Sequence, residues 1–203
     1  MHKEIIIIIP HYNNPKGLCK SVASIKEEIK MDIVIIDDGS QQEINITKLR
    51  KDYKLGRIYY KKQQPNKGIA QALNVGIDFA RKNEYKYIAR LDAGDICYAN
   101  KYNKQYRYLE KHSDIKLLGT WVRVVDSKGA ELFSLKHPVG YNQIKRAMCL
   151  NSAFVHPSVM FSSEILKVIK GYPLNYFAAE DYAFFFDVIN KFKAENYPEI
   201  LMD

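Results

Sequence analysis

Five consecutive isoleucines, Ile5 to Ile9, run into Pro10 near the start of the chain. β-Branched side chains are stiff at χ1 and fit a pleated strand. An unbroken run of them, with no polar alternation, leaves no face for water. Such a strand belongs in the middle of a sheet covered on both sides, which points to an α/β domain. Pro10 ends the run, because it lacks the N–H that a ladder requires.

The following segments alternate in period. His11-Tyr12-Asn13-Asn14-Pro15 reads as a loop, and Leu18, Val22, Ile25 and Ile29 then recur at helical spacing. Asp32 to Ile36 is a second buried strand, stopped by Asp37-Asp38-Gly39-Ser40. This is one βαβ unit, so the sheet is expected to be parallel with a right-handed crossover. A third strand is expected over Arg57 to Lys61, and Ile69, Leu73, Ile77 and Ala80, as the apolar stripe, mark a helix running to about Arg81. The apolar run Tyr87-Ile88-Ala89 predicts the next strand. A helix from about Asn100 to Lys111 carries Tyr102, Tyr106 and Leu109 inward. Ile115 to Val125 predicts a strand, and Asp126-Ser127-Lys128-Gly129 a hairpin turn into Glu131-Leu132-Phe133. From here the sheet is expected to become mixed. A short helix over Gly140 to Met148, a strand over Ser158 to Phe161 and a short helix over Glu164 to Ile169 follow. After Glu180-Asp181 comes a helix with Tyr182, Phe186, Ile189 and Phe192 as its core stripe.

No repeat, linker or low-complexity stretch interrupts this order. A length of 203 residues suits a single domain, 1–203. With 47% hydrophobic and 27% charged residues the chain is an ordinary globular one. No apolar run approaches bilayer length, and Met1-His2-Lys3-Glu4 before the isoleucines makes no signal peptide. The expected location is therefore cytoplasmic. Cys19, Cys97 and Cys149 are widely spaced and without a C-x-x-C pair, so they are expected to be reduced thiols. The net charge of +8 favours an anionic partner. The lysines are spread along the chain and no nucleic-acid motif is present, so nucleic acid is not the expected partner. A phosphorylated small molecule is, with peripheral contact to an anionic inner membrane surface.

Three loops fall at the carboxyl ends of parallel strands, where open α/β sheets bind ligands: Pro10 to Asn14, Asp37 to Ser40, and Asp92 to Asp95. In Arg90-Leu91-Asp92-Ala93-Gly94-Asp95 two carboxylates stand three positions apart. Such a pair can hold a divalent cation that neutralises a diphosphate, although Asp and Gly are also plain turn residues. Arg90 can pair with those acids or with phosphate. Asp37 and Asp38 can accept from a ribose hydroxyl or a base N–H, or can cap a turn. Lys67 before a helix start is a phosphate candidate or a surface lysine. Glu180-Asp181 offers a general base, or acids stabilised by a helix dipole. His156 can orient an acceptor or a phosphate, or serve as a hydrogen-bonded structural histidine.

Taken in order, Ile9-Pro10-His11-Tyr12-Asn13, Asp37-Asp38-Gly39-Ser40, Asn66-Lys67-Gly68 with Ala72-Leu73-Asn74, and Arg90 through Asp95 resemble the family 2 inverting glycosyltransferases of the GT-A fold. Gly119-Thr120, His156-Pro157-Ser158, and Gly171-Tyr172-Pro173 with Glu180-Asp181-Tyr182 extend the resemblance over essentially the whole chain. The resemblance implies a three-layer α/β/α sandwich. Residues 1–98 would form a nucleotide-sugar half and 99–203 an acceptor and catalytic half. Pro10, His11 and Tyr12 would flank the base of a nucleotide-diphosphate sugar, a UDP-sugar being favoured. Asp38, with Asp37 nearby, would contact the uridine or its ribose, and Lys67 and Arg90 would sit near the donor. Asp92, Ala93 and Asp95 would form the DxD-like motif, with Asp92 and Asp95 on Mg²⁺ or Mn²⁺. Asp181, with Glu180 beside it, would be the base that deprotonates an acceptor hydroxyl in a single inverting displacement. The implied acceptor is a glycan or a lipid-linked one: a lipid-linked oligosaccharide, a lipopolysaccharide core or a capsule chain. Gly94 departs from the pattern, since relatives often carry Asp there. Relatives also usually continue past Leu201-Met202-Asp203, often with a further metal ligand and part of the acceptor site, so a truncated chain and a short member are the two expectations.

Three other readings compete. A sugar-nucleotidyltransferase would want a glycine-rich basic loop after the first strand, and a dehydrogenase G-x-G-x-x-G; Pro10 to Asn14 is neither. A transferase-like domain that binds a nucleotide sugar or glycan without turnover is the non-enzymatic alternative.

Overall fold

A computed structural model describes residues 3–203 apart from residue 177. In chain order the elements are β1 (Lys3–His11), α1 (Pro15–Ser24), β2 (Asp32–Asp37), α2 (Ile46–Asp52), β3 (Ile58–Lys62), α3 (Ile69–Lys82) and β4 (Tyr85–Arg90). They continue as α4 (Lys101–Lys111), β5 (Ile115–Val125), β6 (Glu131–Leu135), α5 (Tyr141–Ala147), β7 (Met160–Ser162), α6 (Glu180–Lys191) and β8 (Lys193–Ile200). Short 3₁₀ turns span His156–Ser158 and Ser163–Lys167.

Among the described residues eight strands form one sheet, ordered β3-β2-β1-β4-β7-β5-β6, with β8 also on β5. The first four are mutually parallel. β7 enters antiparallel to both β4 and β5, and β8 pairs parallel with β5. The sheet thus turns mixed where the hairpin pattern begins.

The isoleucine run is the centre of this arrangement. Its side chains alternate between two cores, as a strand's must. Ile6 and Ile8 join Val34, Ile36 and Ile88 under α3, α5 and α6. Ile5, Ile7 and Ile9 join Ile33, Ile35 and Ala89 under α1, α2 and α4. α3 lies close on β1 because residue 76 is glycine: a Cβ there would stand 2.5 Å from Ile8 Cγ2.

Four details differ from the sequence expectation. α1 stops at Ser24, so Ile25 and Ile29 pack from a loop. The carboxylate of Glu27 is turned away to accept the Tyr102 and Asn103 N–H groups, at 3.0 and 2.9 Å, capping α4. α2 and β8 were not expected at all. On α6 the buried residues are Phe184, Phe185, Val188 and Ile189, while Phe186 is 40% exposed. Ile69, expected as a core position, is 41% exposed.

Candidate functional site

The carboxyl ends of β1, β2 and β4 face one cavity of about 400 Å³. Pro10, His11, Tyr12, Asp38, Asp92 and Ala93 line it, together with Asn14, Asn66, Gly68, Ile69 and Ala72. A second cavity of about 720 Å³ shares the Gly68–Ile69 edge and runs to Lys67, Leu174, Tyr176 and Glu180.

The strand-end loops are tied together by short polar bonds. Asn14 caps α1 by accepting from Gly17 N–H at 2.9 Å, and its amide donates to Ala93 O at 2.8 Å. Ser21 Oγ accepts from Gly94 N–H at 2.8 Å and donates to Asp92 O. Gly94 holds φ +128°, a conformation L side chains rarely adopt. The missing third carboxylate of the acidic motif therefore reflects a backbone demand.

Both oxygens of Asp38 accept backbone N–H groups, from Lys67 at 2.9 Å and Gly68 at 2.8 Å, and so hold the entry to α3. Lys67 lines the second cavity and not the first. Asp37 sits behind the first: it accepts from Ser40 N–H at 2.8 Å and from the Tyr60 hydroxyl at 2.5 Å. Burial works to raise its pKa, but these hydrogen bonds outweigh it and hold the carboxyl below its ordinary value. His11 is 2% exposed, and neither ring nitrogen has a partner. Burial lowers its pKa, against the opposing charge of Asp37.

Arg90 is fully enclosed. Its Nη2 donates to Asp92 Oδ1 at 2.6 Å, and Nε and Nη1 have no protein partner. Asp95 lies outside the cavity lining, and burial, then the charge of Asp92, pushes its pKa up to about 7. Among the described residues no three His, Cys, Asp or Glu side chains gather as a ready metal cage. The pair still fits a hard dication in part. Asp92 keeps 32% of its side chain open beside a second carboxylate that its charge repels. A cation would relieve that repulsion, with diphosphate and water oxygens completing its shell.

On the other side, Glu180 and Asp181 occupy the first turn of α6, and Asp181 Oδ1 accepts from Tyr182 N–H at 2.7 Å. His156 Nε2 pairs with the Tyr172 hydroxyl at 3.0 Å, and burial, aided by the charge of Arg90, lowers its pKa well below the usual value. Tyr172 ties the two sides together. Burial raises its phenol pKa, Asp92, Asp181 and Glu180 push the same way, and Arg90 opposes. The acids of both motifs thus act on one phenol. The Pro157 carbonyl beside His156 accepts from the buried Lys101 Nζ at 3.1 Å.

Sequence reasoning passed over Asn14, Ser21 and Asn74 as structural parts of this site. Asn14 carried a signal, a cap residue directly before Pro15. Ser21 carried none, its partner Gly94 lying 73 residues away; Asn74 stood in the Ala72-Leu73-Asn74 motif, but its bond to Tyr172, 98 residues on, was not legible there.

A family model described as glycosyl transferase family 2 matches residues 6–169. An uncharacterized glycosyltransferase of Methanocaldococcus jannaschii is 32% identical over 211 residues, covering 100% of this chain and 71% of the relative. S. aureus TarS in complex with UDP-GlcNAc superimposes with a TM-score of 0.73 at 17% identity, over 98% of this chain and 57% of that one. The mannosyltransferase PcManGT from Pyrobaculum calidifontis, in complex with GDP-Man and Mn²⁺, gives 0.71 at 14% identity, over 100% and 56%. At these identities the two structures speak for a shared GT-A fold, and this chain spans little more than half of each.

Proposed function

This chain belongs to glycosyl transferase family 2, and from that premise we propose that it moves a sugar from a nucleotide-diphosphate sugar to an acceptor hydroxyl with inversion. The observation that carries the reading is the single cavity at the ends of β1, β2 and β4, lined by Pro10, His11, Tyr12, Asp38, Asp92 and Ala93. Two similarly folded proteins hold UDP-GlcNAc and GDP-Man, which supports a nucleotide-sugar donor. UDP is our first choice of nucleotide and GDP the second.

In this reading Tyr12, 52% exposed at the rim, covers the base. Asp38 reaches the nucleoside with the lone pairs that Lys67 and Gly68 leave free. Asp92 and Asp95 would hold Mg²⁺ or Mn²⁺, which supplies charge neutralisation of the leaving diphosphate. Arg90 fixes the rotamer of Asp92 through its bond at 2.6 Å. The acceptor enters by the second cavity, where Lys67, Leu174, Tyr176 and Glu180 form the wall. Asp181 takes the acceptor proton as its oxygen attacks the anomeric carbon. Glu180 lies beside it, and His156 supports the acceptor side through Tyr172.

Calorimetric titration with UDP, GDP, CDP and dTDP, each with and without Mn²⁺, tests the donor site. Binding of one of them, strengthened by Mn²⁺, is the expected result. Absence of binding to all four would remove the nucleotide reading.

A further inference from the structure

We infer that Asn74, in the middle of α3, is the positioning residue that sets where the acidic first turn of α6 stands relative to the nucleotide cavity. This rests on the proposed role of Asp181 as base. The Asn74 side chain grips one residue of a distant loop from both edges. Its Nδ2 donates to Tyr172 O at 2.8 Å, and Tyr172 N–H donates to its Oδ1 at 2.8 Å. The neighbouring residue must be glycine for this approach. Gly171 has φ +143°, and a Cβ there would stand 2.4 Å from Asn74 Oδ1.

The gripped residue is the support of α6. The Tyr172 ring is buried and stacks on Phe184, with centroids 4.5 Å apart and planes 28° apart. Phe184 is three residues beyond Asp181 on the same helix, so it lies on the adjacent turn. α6 begins at Ala179 with no side-chain cap of its own. With no local cap, its acidic end is seated by packing: Phe184 on Tyr172 and Phe161, and the Tyr182 hydroxyl donating to Met148 O.

The other end of the linkage is the nucleotide cavity. α3 starts where Asp38 holds the Lys67 and Gly68 N–H groups. Asn74 follows Gly68 by less than two turns, roughly 9 Å along the helix. Gly76 packs directly on Ile8 of the central strand, which resists sliding of α3. One rigid helix thus carries a bond to the donor side and a bond to the acid side. A misplacement of about 1 Å in such a site costs on the order of 100-fold in rate.

The test uses Asn74→Ala and Asn74→Asp; the aspartate retains an oxygen to accept from Tyr172 N–H and loses the donor. Hydrogen exchange is read first. Asn74→Ala should speed exchange in residues 180–186 by about tenfold or more while β1 to β4 keep their protection. Unchanged exchange in residues 180–186 would overturn the inference. Rates are then read as UDP release from UDP-N-acetylglucosamine and GDP release from GDP-mannose, normalised to nucleotide-binding sites. Asn74→Ala should slow release by about 10- to 100-fold, Asn74→Asp less, with UDP or GDP affinity changed less than about twofold. Asn74→Ala combined with Asp181→Asn should be no slower than Asp181→Asn alone, because the clamp acts through that acid. Multiplying effects would overturn it. Full activity of Asp181→Asn by itself would instead remove the base assignment, and the exchange result would still judge the clamp.

Discussion

Both ring nitrogens of His11 are buried without a partner, an arrangement that costs free energy in the folded state. His11→Leu should therefore raise stability by about 1–3 kcal/mol, read from urea melts. The effect is pH-dependent with a definite sign. Burial places the folded pKa below the unfolded value of about 6.5, so the unfolded chain binds more protons between the two. The parent is at its best above about pH 6.5 and loses stability as pH falls below it. The gap between variant and parent should widen from pH 7 to pH 5; a constant gap would place the imidazole outside this account. Asp181→Asn should leave nucleotide affinity intact and cut transfer by roughly 10²–10⁴-fold, and full transfer would exclude the base role. For Asp92 the choice of variant matters. Alanine would strip the enclosed Arg90 of its ion pair, at a cost of about 3–5 kcal/mol. Asp92→Asn keeps an oxygen for Arg90 and removes the charge. It should abolish the Mn²⁺ enhancement of nucleotide binding with little loss of thermal stability.

Among the elements, α3 is fitted closely to the sheet, and Gly76 is where this shows. Alanine gains about 1 kcal/mol of helix propensity over glycine. A Cβ at residue 76 meets the fully buried Ile8 side chain at 2.5 Å, so that side chain or the helix must shift. Gly76→Ala should therefore lower the urea midpoint despite the propensity gain, and Gly76→Val should lower it further. A raised midpoint for the alanine variant would show that the helix can lift from β1. The elements that the sequence showed plainly are those with strong contrast between faces. β1, β2, β4 and β5 are continuous or nearly continuous apolar runs, and α3 alternates cleanly. α2 buries only Leu49, so it had no apolar stripe to find. β8 buries Ala194 and Asn196 and contains Pro198, so it reads as a polar loop. In α6 aromatic residues crowd the first turns, so periodicity found Ile189 and the partly buried Tyr182 and Phe192 but took in the exposed Phe186 and missed the buried Phe184 and Phe185. α1 ended early because Glu27 serves another helix, a long-range demand that no local pattern records.

At the scale of the molecule, the parallel half β3-β2-β1-β4 builds the cavity at the strand ends, where the nucleotide is proposed to bind, and the part of the chain beyond β5 carries α6. The first arrangement was legible, because ligand sites of open parallel sheets follow from strand ends. The second depends on contacts such as Asn74 with Tyr172, which join residues far apart in sequence. The division has a consequence for metal binding. The protein carries a net charge of +8, and the proposed cation site has just two carboxylates, Asp92 and Asp95, with burial and Asp92's charge favouring the protonated form of Asp95. A dication alone meets a basic molecule and an incomplete shell. A nucleoside diphosphate brings both negative charge and oxygen ligands, so cation and nucleotide should bind as a unit. Mn²⁺ alone should shift the melting temperature by about 1 °C or less. UDP or GDP with Mn²⁺, at about 100 times Kd, should add about 2.7 kcal/mol. For a chain of this size that is about 2–4 °C per kcal/mol. The joint shift should exceed the sum of the separate shifts and vanish in Asp92→Asn. A full shift with Mn²⁺ alone would mean that the protein holds the cation by itself, in a site other than the pair described.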